Sequence, residues 1–225
     1  MGYYNENTLK KFADALQDAK SRLDGLHVKF SASNSKMGNV ASVSTLPFIT
    51  CPGCCATTCG GKCYAAKLAN LRPNVLKNYA ENTALALYRP VQYWAEINNY
   101  CKGVRFFRFH VSGDIINRKY FENMVETAQN NPHCEMLAFT KRFDAVNAYL
   151  ASGNQIPENL HIMFSGWSNL TPENPHRLPE TNVIEKGAEV PQKWTICGGN
   201  CFECACASGG CWGAQNGDTI AFHIH

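Results

Sequence analysis

Cysteine is the feature that most constrains this chain, because twelve thiols occur in 225 residues and ten of them fall in two short segments. The first segment places five thiols within thirteen residues, and the second places five within fifteen. The two sets are Cys51, Cys54, Cys55, Cys59 and Cys63, and Cys197, Cys201, Cys204, Cys206 and Cys211. Such crowding is typical of a protein that binds metal or forms disulfides.

The compartment decides between these two interpretations. The first residues, MGYYNENTLKKF, lack the apolar segment of a secretory signal, and no run of about 18 apolar residues predicts a membrane span. We therefore expect a cytoplasmic protein without a membrane partner, whose thiols stay reduced. Metal binding is favoured over a disulfide framework.

The spacing favours iron–sulfur clusters over zinc. Cys197, Cys201 and Cys204 form a C-x3-C-x2-C pattern, and Cys59 and Cys63 form C-x3-C. Three close thiolates can hold three irons of a cube, and a fourth ligand can come from elsewhere in the chain. One zinc on two C-x-x-C pairs would leave six clustered thiols unused. We expect one or two 4Fe–4S clusters, with these candidate ligands: Cys51, Cys54, Cys59, Cys63, Cys197, Cys201, Cys204, Cys206 and Cys211.

Composition and periodicity predict the fold. Hydrophobic residues make up 45% of the chain and charged residues 17%, which indicates a folded protein, and we expect one domain over residues 1–225. Strand-like and helical segments alternate through the middle, which is typical of a parallel sheet with crossover helices. The predicted class is α/β: a partial (β/α) barrel or an open parallel sheet, with cysteine-rich loops at one rim. We predict loops over 34–50 and 167–191.

Polar residues follow the predicted strands, where parallel α/β folds collect their chemistry. Strict alternation along a strand over 104–111 would put Arg108, His110 and Ser112 on one face with Phe106. Buried Arg and His side chains are costly unless they pair with a carboxylate, an anion or a ligand. The candidate cofactor-binding residues are His110, Ser112, Gly113, Asp114 and Lys141. Alternatively, Arg108 and Asp114 simply pair and His110 is a satisfied core histidine.

Several short motifs together resemble the phage protein family named gene product 88. They are Asn34–Gly38, Thr50–Gly53, Cys59–Ala65, Phe109–Asp114, Phe139–Lys141 and Cys211–Trp212. The resemblance extends from about Val28 to His223 and implies a phage-encoded iron–sulfur protein, located in the host cytosol. Cys54 and Cys55 are extra in the first segment relative to that family.

A more distant similarity is to radical S-adenosylmethionine enzymes. These place a C-x3-C-x2-C motif after the first strand of a partial barrel and leave one iron open for the cofactor. The similarity implies that Ser112, Gly113 and Asp114 hold the amino group of S-adenosylmethionine. The chain departs from the motif, because residue 66 is Ala66 and the C-x3-C-x2-C pattern lies near the other end of the sequence.

The sequence therefore predicts a redox-active iron–sulfur protein of radical-S-adenosylmethionine-like fold. Its expected partner is an electron donor or a small-molecule substrate. The alternatives are a radical S-adenosylmethionine enzyme with an atypical cysteine motif, and a structural zinc protein that binds another macromolecule. A net charge of +3 without a basic stripe does not support nucleic-acid binding. Whether the chain is an enzyme stays open.

Overall fold

The chain is described by a computed structural model over residues 2–33, 37–185 and 187–223. Within these ranges one sheet carries eight strands, and seven α-helices accompany it. The strands are β1 Phe30–Ser31, β2 Ala41–Val43, β3 Phe106–Phe109, β4 Glu135–Thr140, β5 Leu160–Gly166, β6 Glu180–Ile184, β7 Thr195–Ile196 and β8 Thr219–His223. The helices are α1 Glu6–Ser21, α2 Tyr64–Leu71, α3 Pro73–Tyr88, α4 Pro90–Cys101, α5 Arg118–Asn130, α6 Phe143–Ala151 and α7 Cys201–Cys206.

The strand order confirms an open α/β sheet. It runs β1-β2-β3-β4-β5-β6-β8-β7, and every neighbouring pair except β1 and β2 is parallel. From β2 to β6 each strand lies beside the next one along the chain, as repeated crossovers in one direction require. The ends of the order, β1 and β7, do not pair with each other, so the barrel does not close.

The two faces of the sheet pack against different parts of the chain. Phe107 and Phe109 of β3 point into a core shared with α1 and α3–α6. Phe106 points to the opposite face, where its ring meets Phe202 and Trp212 of the C-terminal segment at centroid distances of 6.0 and 5.7 Å. The second cysteine-rich segment therefore covers the sheet face that the crossover helices leave free.

Two strands were predicted to be loops, and that prediction is wrong. β2 lies within the predicted loop over 34–50, and β6 lies within the predicted loop over 167–191. β2 is only three residues long, and β6 reads Glu-Thr-Asn-Val-Ile, so neither provides the longer run of apolar alternation by which strands are recognised. Both segments become strands because they pair with neighbouring strands of the sheet, not because of their local sequence.

None of the described helices is both long and apolar enough to cross a bilayer.

Gly113 follows β3 in a turn that only glycine can occupy. Its φ is +82°, and a Cβ atom there would lie 2.0 Å from Thr45 Oγ1 and 2.6 Å from Thr50 Oγ1. We expect Gly113→Ala to lower the free energy of unfolding by about 3 kcal/mol, because it combines a left-handed backbone with a clash. Urea titration followed by circular dichroism measures the change.

Gly153 provides the matched control. It has the same φ of +82°, but a Cβ atom added there would have no heavy atom within 4 Å. Gly153→Ala should therefore cost only about 1 kcal/mol, the backbone contribution alone. Equal losses in the two variants would contradict the role assigned to the contact with Thr45 and Thr50.

Candidate metal centres

Both cysteine-rich segments leave the same edge of the sheet. Residues 44–50 connect the carboxyl end of β2 to Cys51, and Cys197 directly follows β7. Because β2 and β7 run in the same direction within the sheet, the two segments start from the edge where parallel strands end. The predicted rim of cysteine-rich loops is placed there.

The first thiol group consists of Cys51, Cys54, Cys55, Cys59 and Cys63, which interact with one another. Two short 3-10 turns, Gly53–Ala56 and Gly60–Lys62, fold the segment back on itself. Cys55 lies at the centre: the neighbouring thiols of Cys51 and Cys59 both shift its pKa, and only 4% of the residue is exposed. Sequence spacing did not pick out Cys55 as a candidate ligand. Its burial distinguishes it from the other four thiols of the first group.

The backbone favours a thiolate at Cys63. Burial raises the pKa of this thiol, but the Ala66 N–H, 3.5 Å from Sγ, lowers it. Cys63 is the N-cap of α2, where the partial positive charge of the helix end also favours an anion.

Lys141 is the cation of the first thiol group. Its charge lowers the pKa values of the Cys54, Cys55, Cys59 and Cys63 thiols, against the larger raising effects of burial and of thiol–thiol hydrogen bonds. The Lys141 ammonium donates to Ser165 Oγ at 2.9 Å and lies 5.8 Å from the centre of the Trp167 ring.

The second thiol group consists of Cys197, Cys201, Cys204 and Cys211, which also influence one another electrostatically. The Asn200 side chain caps α7 by accepting from the N–H groups of Phe202 and Glu203, which fixes the helix that carries Cys201 and Cys204. A Cβ atom on Gly210 would lie 3.2 Å from Cys204 Sγ, so this glycine allows the backbone to approach the sulfur. Burial raises the pKa of Cys211 to about 12.

Arg108 is the cation of the second thiol group. Its Nη1 lies 3.9 Å from Cys201 Sγ and 3.5 Å from Met37 Sδ, and its guanidinium lies 4.5 Å from the centre of the Phe139 ring. Its positive charge lowers the pKa of Cys211, although burial dominates there. The buried Nε has no hydrogen-bond partner among the residues described.

Neither cation forms an ion pair with a carboxylate in the described part of the chain. The alternative in which Arg108 pairs with Asp114 is therefore wrong. A half-buried guanidinium whose contacts are sulfur atoms and an aromatic face is suited to an anion held by those sulfurs.

Cys206 is separated from the other candidate ligands. It is exposed and lines an open cavity of about 290 Å³ with Arg105 and Phe106, where β3 begins. On α7 it follows Cys201 by five residues, which turns it away from the face that Cys201 and Cys204 share. Among all described residues, no three His, Cys, Asp or Glu side chains are arranged as ligands of a single metal ion.

Tyr64 lies between the two thiol groups. Burial of its hydroxyl raises its pKa, Arg108 lowers it, and Cys63, Cys51 and Cys201 raise it. The hydroxyl donates to the Val111 carbonyl oxygen, whereas 58% of the residue as a whole is exposed. One side chain is thus within electrostatic range of thiols from both groups.

Ser112, Gly113 and Asp114 form a buried network between the strand ends. Ser112 Oγ donates to the Thr45 carbonyl oxygen at 2.9 Å. The Asp114 carboxylate accepts from the Thr140 hydroxyl at 2.5 Å and from the Lys141 and Ile115 N–H groups at 2.9 and 2.7 Å. Burial raises the pKa of Asp114, and these hydrogen bonds lower it. The observed partners of these residues belong to the protein, and Asp114 fixes the backbone from which Lys141 extends.

His110 does not share a face with Arg108, and the predicted alternation fails at this residue. β3 ends at Phe109, and His110 has a φ of +57°, which turns its ring toward Tyr120 of α5 at a centroid distance of 5.4 Å. Both ring nitrogens are buried without a hydrogen-bond partner among the described residues. Burial lowers the pKa of His110 to about 3.

This low pKa predicts a loss of stability in mild acid. Between the unfolded value of about 6.5 and the folded value, only the unfolded chain binds the proton, so stability falls as the pH falls. From pH 7 to pH 5, the chain should lose about 2 kcal/mol more than a His110→Asn variant, in which asparagine tolerates the left-handed backbone. Urea titrations at both pH values measure the difference, and parallel pH profiles would contradict it.

Comparison with known proteins identifies the family. A family model for gene product 88 matches residues 5–197, which is most of the chain. The chain belongs to the gene product 88 family. No curated protein and no solved structure matches it.

The family match confirms the resemblance seen in the motifs. The matched region contains the whole first thiol group and ends at Cys197, so Cys201, Cys204 and Cys211 follow it. Of the motif Asn34–Gly38, residues 34–36 lie outside the described part of the chain. Met37 belongs to the hydrophobic cluster that also contains Cys211 and Trp212.

Proposed function

We propose that this member of the gene product 88 family is an iron–sulfur protein that carries two clusters, one on each thiol group, and transfers single electrons. The observation that supports this most directly is the repeated pairing of a thiol group with a cation. Lys141 acts on four thiols of the first group, and Arg108 acts on thiols of the second. Neither cation forms an ion pair with a carboxylate among the described residues, although the charge of Lys141 also lowers the pKa of Asp114.

The chemistry of the two groups fits this cofactor. A cluster bound by four thiolates is an anion, and each group offers at least four thiols beside one positive side chain. When bound, a cluster accepts and releases one electron at a time. Arg108 and Lys141 would offset the negative charge, while Cys63 at the α2 N-terminus and Gly210 beside Cys204 supply backbone contacts to sulfur.

Two centres explain the placement of the cations better than one shared centre. Lys141 acts on the first thiol group and Arg108 on the second, with Tyr64 between them. Arg108 lies in β3 and Lys141 directly follows β4, so the topology of adjacent parallel strands delivers one cation to each group.

Anaerobic purification followed by iron and sulfide analysis tests the proposal. We expect about eight iron and eight acid-labile sulfide per chain, and a rhombic electron paramagnetic resonance spectrum after reduction. A colourless protein with stoichiometric zinc would overturn the proposal and favour a structural zinc protein. A spectrum that changes on adding S-adenosylmethionine would instead point to the enzyme alternative, with one iron open.

A further inference from the structure

We propose that the exposed face of α2 is the docking surface for an acidic electron-carrier protein that reduces the first cluster. This inference rests on the proposed function. The face consists of Tyr64, Leu68 and Leu71, which are 58%, 40% and 67% exposed. Their spacing of four and three residues places them on one side of the helix.

The position of this face links it to the first thiol group. α2 begins directly after Cys63, whose sulfur accepts from the Ala66 N–H. Tyr64, the first residue of the helix, is within electrostatic range of Cys51 and Cys63. A protein bound on this face would therefore lie beside the first thiol group, which electron transfer requires.

The charge around the face selects an acidic partner. Residues 50–80 contain four basic residues and no Asp or Glu. Lys62, Lys67 and Arg72 flank the apolar face, are exposed, and form no ion pair with a described residue, and Lys11 reaches the Asn70 carbonyl oxygen at 3.0 Å. Complementary charge of this kind guides encounter and orientation.

The size and chemistry of the face argue against other occupants. Three apolar side chains form a small patch, as in transient electron-transfer complexes rather than permanent dimers. A second copy of this chain would bring the same basic rim against itself in a symmetric contact. The apolar centre distinguishes the face from a purely basic nucleic-acid surface.

Reduction kinetics and binding test the inference on the cluster-loaded protein. The probe is a reduced acidic 2Fe–2S ferredoxin, which loses one electron as the first cluster gains one. Leu71→Glu and Lys67→Glu should each lower the second-order rate constant by about ten-fold at low salt, and added salt should lower the rate of the unaltered protein. The affinity measured by calorimetry with the oxidised ferredoxin should weaken in the same variants.

Matched controls separate this inference from the proposed function. Val91→Glu alters an apolar residue that is 85% exposed on α4, and Lys119→Glu reverses an exposed charge on α5; both should leave the rate unchanged. Reduction by dithionite should be equal in all variants. Unchanged rates and affinities in Leu71→Glu and Lys67→Glu would overturn the docking surface while the clusters remain. Variant-sensitive binding to anionic phospholipid vesicles, without ferredoxin binding, would also overturn it.

Discussion

Replacing Cys204 with serine is expected to remove about half of the iron and sulfide and to leave the remainder in place. The second thiol group has four mutually interacting thiols, Cys197, Cys201, Cys204 and Cys211, and no fifth one beside them among the described residues. Serine keeps the size of the side chain but lacks the thiolate, so this centre would lose a ligand that nothing replaces. Iron and sulfide analysis should show about four of each per chain, and one of two reduced-state resonance signals should disappear.

The chain contains matched controls for this result. Cys206→Ser lies on the same helix but outside the group, so its iron content should equal that of the unaltered protein. The double variant Cys55→Ser/Cys59→Ser should remove the other half, because it leaves only three thiols in the first group. Complete loss of iron in Cys204→Ser would show one shared centre and contradict the two-centre proposal.

The elements that the sequence predicted well carry a strong periodic signal. The alternation of strand-like and helical segments predicted a parallel sheet with crossover helices, and β3, β4 and β5 with α5 and α6 between them form that arrangement. β2 and β6 escaped prediction because β2 is only three residues long and β6 lacks apolar alternation, and both are ordered by pairing with neighbouring strands, most of them distant in sequence. The break of β3 at His110 was also hidden, since its left-handed backbone depends on the turn around Gly113.

In the candidate site, too, local sequence predicted some features, while others depend on the tertiary fold. Spacing alone identified both cysteine-rich segments, but it could not distinguish Cys206 from its neighbours, because that required knowing that residues 201–206 are helical. Spacing likewise could not select Cys55, whose central place results from the fold of two 3-10 turns. Both cations were singled out as residues at or near strand ends, but their assignment to the two thiol groups was not predictable, because it depends on strand order rather than on any local motif.

Arg108 therefore provides the second large expected effect. Arg108→Met should lower the reduction potential of the second cluster, because the reduced cluster carries one more negative charge and loses a neighbouring cation. In a half-buried site this corresponds to about 1–2 kcal/mol, which is on the order of 50–100 mV for one electron. Potentiometric titration followed by electron paramagnetic resonance measures it, and Arg108→Lys should retain most of the potential.

The two-centre arrangement makes this prediction specific. Lys141→Met should lower the potential of the first cluster by a similar amount, because Lys141 acts on Cys54, Cys55, Cys59 and Cys63. Arg105→Met, an exposed position just before β3, should change neither potential. In a Cys204→Ser background only the first cluster remains, so Arg108→Met should then have a much smaller effect. A full shift in that background would mean that Arg108 serves the first thiol group, and the assignment of one cation to each centre would be wrong.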